Sequence, residues 1–132
     1  MADQTIRVGF VGAGANTRLR HLPGLKEIDG VELVSVANRS RESGQRIADE
    51  FGIQTVYDNW VDLIDAGDTN AICVGTWPYM HETLVLASLE AGKHVQTEAR
   101  MAMDSDQARS MLAASRLAPD LVTQIVPAPH TL

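Results

Sequence analysis

The sequence has one cysteine, Cys73, so no disulfide can form within the chain, and a cytoplasmic setting is the default expectation. Basic residues are few: 11 Lys plus Arg against 17 Asp plus Glu leave a net charge of −6, which argues against non-specific binding to nucleic acid or to an anionic membrane. No uninterrupted apolar run approaches the roughly 18 to 20 residues that a membrane helix needs. Arg7 before Val8 to Val11, with Ala13-Gly14-Ala15 behind, superficially imitates a signal peptide, but the run is too short and too rich in glycine. His21, His81, His94, His130 and Cys73 show no ligand-type spacing, which argues against a metal centre. There is no Gly-x-Ser-x-Gly elbow to carry a nucleophile, and no low-complexity segment or internal repeat.

What is present describes one domain. With 132 residues, 45% of them hydrophobic, the chain can bury roughly two-thirds of its unfolded surface and needs no disulfide or metal to fold. Residues 1 to 50 hold seven basic and seven acidic residues, and residues 51 to 132 hold four and ten, so a phosphate-bearing partner belongs near the N-terminal third.

Short apolar runs alternate with longer amphipathic stretches, the signal for parallel strands joined by crossover helices. Strands are predicted at Ile6 to Gly12, Val31 to Ala37, Thr55 to Tyr57, Ala71 to Gly75, His94 to Thr97 and Leu121 to Val126. Between them lie a helical stretch with Leu19, Leu22 and Leu25, kinked or split at Pro23, and a helix capped by Ser40 that buries Ile47, Ala48 and Phe51 and stops at Gly52. A helical turn follows around Trp60, Leu63 and Ile64, then a helix through Leu84, Ala87 and Leu89 closed by Gly92. The last, capped by Asp104 or Ser105, carries Ala108, Met111, Leu112 and Ser115 at helical spacing. The fold class is α/β: a doubly wound parallel sheet of Rossmann type in three αβα layers, spanning residues 1–126. Residues 127–132 are proline-punctuated and read as the start of a linker to a further domain.

Gly12-Ala13-Gly14 falls between the first strand and its helix, where a dinucleotide fold holds pyrophosphate. Gly12 allows the tight turn, Gly14 lets the backbone approach the ligand, and Ala15, Asn16 and Thr17 begin the helix whose N–H groups attract negative charge. Thr17 stands where a full fingerprint has its third glycine. At the end of the second strand, an acid would accept hydrogen bonds from the adenine ribose of NAD. The residues are instead Asn38-Arg39-Ser40-Arg41, whose amide, hydroxyl and two guanidinium groups suit the 2′-phosphate of NADP. NADP is therefore the expected cofactor and NAD the alternative. In the bland alternative Arg39 and Arg41 are solvated helix-start residues and Ser40 is only a cap.

These residues, together with His21-Leu22-Pro23, Glu32 to Arg39, Glu50 to Ile53, Thr76 to His81, Leu89 to Val95 and Met101 to Met103, resemble the N-terminal half of the Gfo/Idh/MocA oxidoreductases, the glucose-fructose oxidoreductase and inositol dehydrogenase family. The Ala91-Gly92-Lys93-His94-Val95 run before Glu98 is the most specific part. The resemblance implies hydride transfer between NAD or NADP and a sugar, polyol or related carbonyl compound. It also implies a second domain supplying most of the substrate pocket and the oligomer interface. Expected partners are thus a dinucleotide, a small-molecule substrate when that domain is present, and another copy of the chain; the chain alone is expected to be inactive.

Two departures from the family pattern bear on mechanism. Glu98-Ala99-Arg100 replaces the family's Glu-Lys-Pro, whose lysine helps proton transfer. Arg100 is the one weak candidate for a catalytic cation, and its bland role is an ion pair with Glu98 or another acid. In Thr76-Trp77-Pro78-Tyr79-Met80-His81, Trp77 displaces the family's proline by one position. The resemblance places Thr76, Trp77, His81 and Glu98 around the nicotinamide. Trp77 either stacks on a cofactor ring or packs beneath the loop, and His81 either meets the cofactor or begins the next helix. A non-catalytic dinucleotide sensor that lacks the lysine is the competing function, and an S-adenosylmethionine site is a third.

Overall fold

The computed structural model describes residues 5–127. Strands β1 (Ile6–Val11), β2 (Val31–Ala37), β3 (Thr55–Val56), β4 (Ala71–Val74), β5 (His94–Thr97) and β6 (Thr123–Ile125) form one parallel sheet in the order β3-β2-β1-β4-β5-β6. The helices are α1 (Leu22–Lys26), α2 (Arg41–Phe51), α3 (Trp60–Asp65), α4 (His81–Glu90) and α5 (Ser105–Leu117). Right-handed crossovers put α1 and α2 on one face, as the chain winds from β1 to β3; α3, which crosses from β3 to β4, lies on the other face with α4 and α5, which follow as the chain winds from β4 to β6.

Alternation along each strand fills both layers. Val8, Phe10 and Val36 pack with Leu22, Ile47 and Ala48 on the first face, while Val11, Val74 and Val95 pack with Leu63, Leu84 and Met111 on the second. Phe10 and Leu84 are wholly buried, each contributing about 1.5–3 kcal/mol relative to exposure. The helix starts are set locally. Ser40 Oγ accepts from Ser43 N at 3.1 Å, Asn59 Oδ1 from Asp62 N at 2.9 Å, and Asp104 Oδ1 from Gln107 N at 2.9 Å. Of the two cap candidates for α5, Asp104 takes the position.

Several expectations need correction. β1 stops at Val11 and β4 at Val74, because Gly12 and Gly75 already belong to the separate turns that follow these two neighbouring strands. β3 omits Tyr57, and β6 is only Thr123–Ile125. The split near Pro23 takes the form of a π turn, Thr17–His21, ahead of α1, with Leu22 N bonded to Thr17 O. Pro23 has no N–H to continue the ordinary ladder. The wider turn breaks the three-residue spacing of the leucine face: Leu22 is buried whereas Leu19 is 67% exposed. Leu112 is also exposed, beside a cavity of about 160 Å³ between α5 and the β5–β6 edge. Of the proposed linker, residues 128–132 lie outside the described residues.

Candidate functional site

The carboxyl ends of β1 and β4 meet in an interlocked pair of glycines. Gly12 has φ 77°, and a Cβ there would lie 2.9 Å from Thr76 N. Gly75 N donates to Val11 O at 2.8 Å, and a Cβ on Gly75 would run into Gly12 O at 2.6 Å and into Thr17 Oγ1. Gly14 is different: a Cβ there would meet nothing within 4 Å. Gly14, Ala15 and Asn16 are all exposed at this opening. The helical residues begin at Ala15, so the first N–H groups of the turn have no intrahelical carbonyl to bond. A tight turn behind and an open backbone in front fit a pyrophosphate cradle. Thr17 is buried with its hydroxyl toward Gly75; its side chain does the packing of the missing third glycine and does not face the opening.

Asn38 braces this turn from the end of β2. Its Oδ1 accepts from Ala13 N at 2.7 Å, while Nδ2 donates to Ala13 O at 3.3 Å and to Ser43 Oγ at 2.9 Å. The side-chain amide of Asn38 thus holds the glycine turn against α2. Beyond it, Arg39, Ser40 and Arg41 are exposed. Ser40 caps α2. Arg41 Nη1 pairs with Asp58 Oδ1 at 2.6 Å, whereas Arg39 takes part in none of the ion pairs found among the described residues.

At the other end of the opening, Glu98 follows β5 and accepts from Asn16 Nδ2 at 2.6 Å with Oε1, which also contacts His21 Nε2. His21 and Glu98 are both largely buried, with side chains 13% and 17% exposed. The charge of Glu98 reaches Cys73, whose thiol is pushed up to about 12, chiefly by burial and secondarily by this carboxylate. Cys73 is thus inert.

His81 is fully buried. Its Nε2 lies 3.0 Å from Thr76 O and its Nδ1 2.7 Å from Arg100 O, so the ring ties the loop after β4 to the loop after β5. His81 begins α4, and its buried ring braces the two loops and reaches no open surface. Thr76 Oγ1 donates to Trp77 O at 3.3 Å and is partly exposed. Trp77 is 73% exposed, which removes the alternative that it packs beneath the loop. Arg100 is exposed, and none of the ion pairs among the described residues includes it; Ala99 beside it is also exposed. His21 was absent from the expected site. Its partner Glu98 lies 77 residues away, beyond any local spacing signal.

No group of three or more potential metal ligands occurs among the described residues. No helix there is long and apolar enough to cross a membrane.

A parallel sheet wound in both directions from β1, with an open glycine turn at its switch point, defines the dinucleotide-binding class of α/β domains. The chain belongs to the Gfo/Idh/MocA family: residues 6–124 match the family model described as "Oxidoreductase family, NAD-binding Rossmann fold". It is an NAD(P)-binding domain of that oxidoreductase family. A 4-carboxy-2-hydroxymuconate-6-semialdehyde dehydrogenase from Sphingobium is 33% identical over 84% of this chain and 35% of its own length. An inositol 2-dehydrogenase/D-chiro-inositol 3-dehydrogenase from Shouchella clausii is 36% identical over 77% of this chain and 30% of its own. Among solved structures, a 3-ketoreductase from Actinomadura kijaniata in complex with TDP-benzene and NADP superimposes with a TM-score of 0.84 at 28% identity, covering 91% of this chain and 38% of that one. The chain thus spans about a third of the length of the curated relatives it matches.

Proposed function

We propose that this chain holds NADP(H), in preference to NAD(H), as the cofactor domain of an oxidoreductase acting on a sugar-like or polyol-like carbonyl or alcohol. The observation that carries the cofactor preference is the end of β2. It offers no carboxylate to a ribose, and the guanidinium of Arg39 stands exposed and outside every ion pair among the described residues. The ketoreductase of similar fold, in complex with NADP, supports the same choice, and the inositol dehydrogenase supports the substrate class.

In this reading Gly14, Ala15 and Asn16 border the pyrophosphate, Arg39 takes the 2′-phosphate, and Arg41 joins it only by leaving Asp58. Thr76, Trp77 and Glu98 border the nicotinamide, with Trp77 offering an aromatic face to a flat ring. The cofactor, when bound, supplies the hydride acceptor or donor. The chain's own residues orient it: Asn38 fixes the turn, Glu98 holds Asn16, and His81 fixes the loop that presents Trp77. Titration calorimetry with NADPH and NADH tests the reading; no heat with either at millimolar concentration would refute it. A second reading, a dinucleotide sensor without turnover, is favoured by Ala99, which cannot carry a proton where the family resemblance implies a lysine.

A further inference from the structure

The ring of His81 meets two acceptors at once. Its Nδ1 lies 2.7 Å from Arg100 O and its Nε2 3.0 Å from Thr76 O, and a backbone carbonyl can only accept. A neutral imidazole carries one N–H, so it bonds one of these carbonyls and turns a lone pair on the other. An imidazolium donates to both. His94 shows the contrast: its Nδ1 accepts from Val122 N at 2.9 Å, which requires a bare nitrogen.

The interior offers the ring nothing but these two carbonyls. His81 is fully buried, and none of the ion pairs among the described residues includes it. Packed against α4 are β4, β5, α5 and the short turn Pro78–Met80. Their titratable and charged groups are Cys73, His94, Asp106, Arg109, Arg116 and Tyr79, to which α4 itself adds Glu82 and Glu90 and the loop after β5 adds Glu98 and Arg100. None of them bonds the ring. Tyr79, Glu90, Arg100, Asp106, Arg109 and Arg116 are exposed, Glu98 is spent on Asn16 and His21, and the Cys73 thiol, pushed up to about 12, stays protonated at neutral pH. Burial opposes a charge on the ring and two well-placed carbonyls favour it, so the second proton decides how many loops the ring holds.

We propose that His81 is a proton-operated clasp. With both nitrogens protonated it ties the loop after β4 to the loop after β5; when Nε2 gives up its proton, the tie to Thr76 O opens and the shorter one to Arg100 O remains. An imidazole suits such a device, since it is the side chain that ordinarily changes charge between about pH 5 and 8. The loop it releases is short and carries Trp77, with Met80 N bonded to Trp77 O at 3.0 Å immediately before α4. That loop is the one the cofactor reading sets beside the nicotinamide, but the clasp belongs to the chain without ligand and its tests use none.

Nitrogen-15 spectra of the ring, assigned from the residue's own backbone, read the clasp directly in the wild-type chain. Between pH 5 and 8, both nitrogens should carry protons at the acid end and Nδ1 alone at the other. Exchange of the Met80 amide, corrected for the intrinsic effect of pH, should be about two- to tenfold faster at pH 8 than at pH 5.5, the worth of one ordinary hydrogen bond. His81→Gln does not titrate in this range and should show no such difference. The proposal is overturned by a ring whose protonation is constant from pH 5 to 8, by Nδ1 losing its proton in place of Nε2, or by a Met80 difference that is missing in the wild type or persists in His81→Gln. The spectra need no variant, so they decide the matter even if His81→Gln does not fold.

Discussion

Replacing Arg39 by alanine tests the proposed preference for NADPH directly. Arg39 is exposed and outside the ion pairs of the described residues, so binding a phosphate would break no existing contact. A hydrogen bond to a charged group is worth about 1.5–3 kcal/mol, so Arg39→Ala should weaken NADPH by about 10- to 150-fold. NADH lacks the phosphate and should change by less than about threefold. Arg41 is predicted to matter less, because its guanidinium is held 2.6 Å from Asp58 and must be shared or released. That pair is exposed and worth only about 0–1 kcal/mol, so Asp58→Asn should free Arg41 and tighten NADPH by no more than about fivefold. Titration calorimetry at low and high salt checks both points, the Arg39 effect shrinking as ionic strength screens the exposed charges. Equal losses for the two dinucleotides, or an Arg39→Ala chain that binds NADPH unchanged, would refute the reasoning.

Asn38→Leu leaves the buried Ala13 N–H without its acceptor at 2.7 Å, a loss of about 1–3 kcal/mol that should lower the melting temperature and weaken both dinucleotides alike. Glu98→Ala releases Asn16 and His21 together and should likewise weaken both dinucleotides to a similar extent, as measured by calorimetry; an NADPH-selective loss would contradict its proposed place at the nicotinamide end. The thiol of Cys73 is raised from 9.0 to about 12 in the folded chain, so above about pH 9 the unfolded state gives up a proton that the native state keeps. Its contribution to stability should therefore fall as pH rises through the window from 9 to 12, by up to about 1.4 kcal/mol per unit. Urea titrations at pH 8 and above should show a steeper decline for the wild type than for Cys73→Ala, and parallel declines would contradict the assignment.

The parts of the fold legible in the sequence are those set within a few residues. β5 occupies His94–Thr97 as alternation and the preceding Gly92 predict, and Ser40 caps α2 through a bond spanning three positions. Legibility ends where the chain closes on itself over long separations. Asn38 reaches Ala13 across 25 residues and Glu98 reaches Asn16 across 82, and neither side chain's direction follows from its strand. His81 shows the same limit: an imidazole at a helix start is read as polar and available, yet two carbonyls, Thr76 O and Arg100 O, draw it wholly inside. The exposure of Leu19 follows from a π turn that a fixed helical period does not anticipate.

The segment Glu98 to Arg100 separates two tasks that the family resemblance places together. Glu98 is occupied by Asn16 and His21, and the carbonyl of Arg100 is held by His81, so the backbone is fixed on both sides of Ala99. Ala99 itself is exposed and carries no group that can exchange a proton. Arg100 offers a guanidinium, a group of donors without an acceptor, which suits an oxyanion better than a proton relay. A fixed backbone thus carries a side chain without a titratable group at Ala99. On the proposed reading, Ala99→Lys should leave NADPH affinity within about threefold, because no bond that holds the cofactor site passes through this side chain. A large change in affinity, measured by calorimetry, would show that the side chain at this position helps to build the cofactor site.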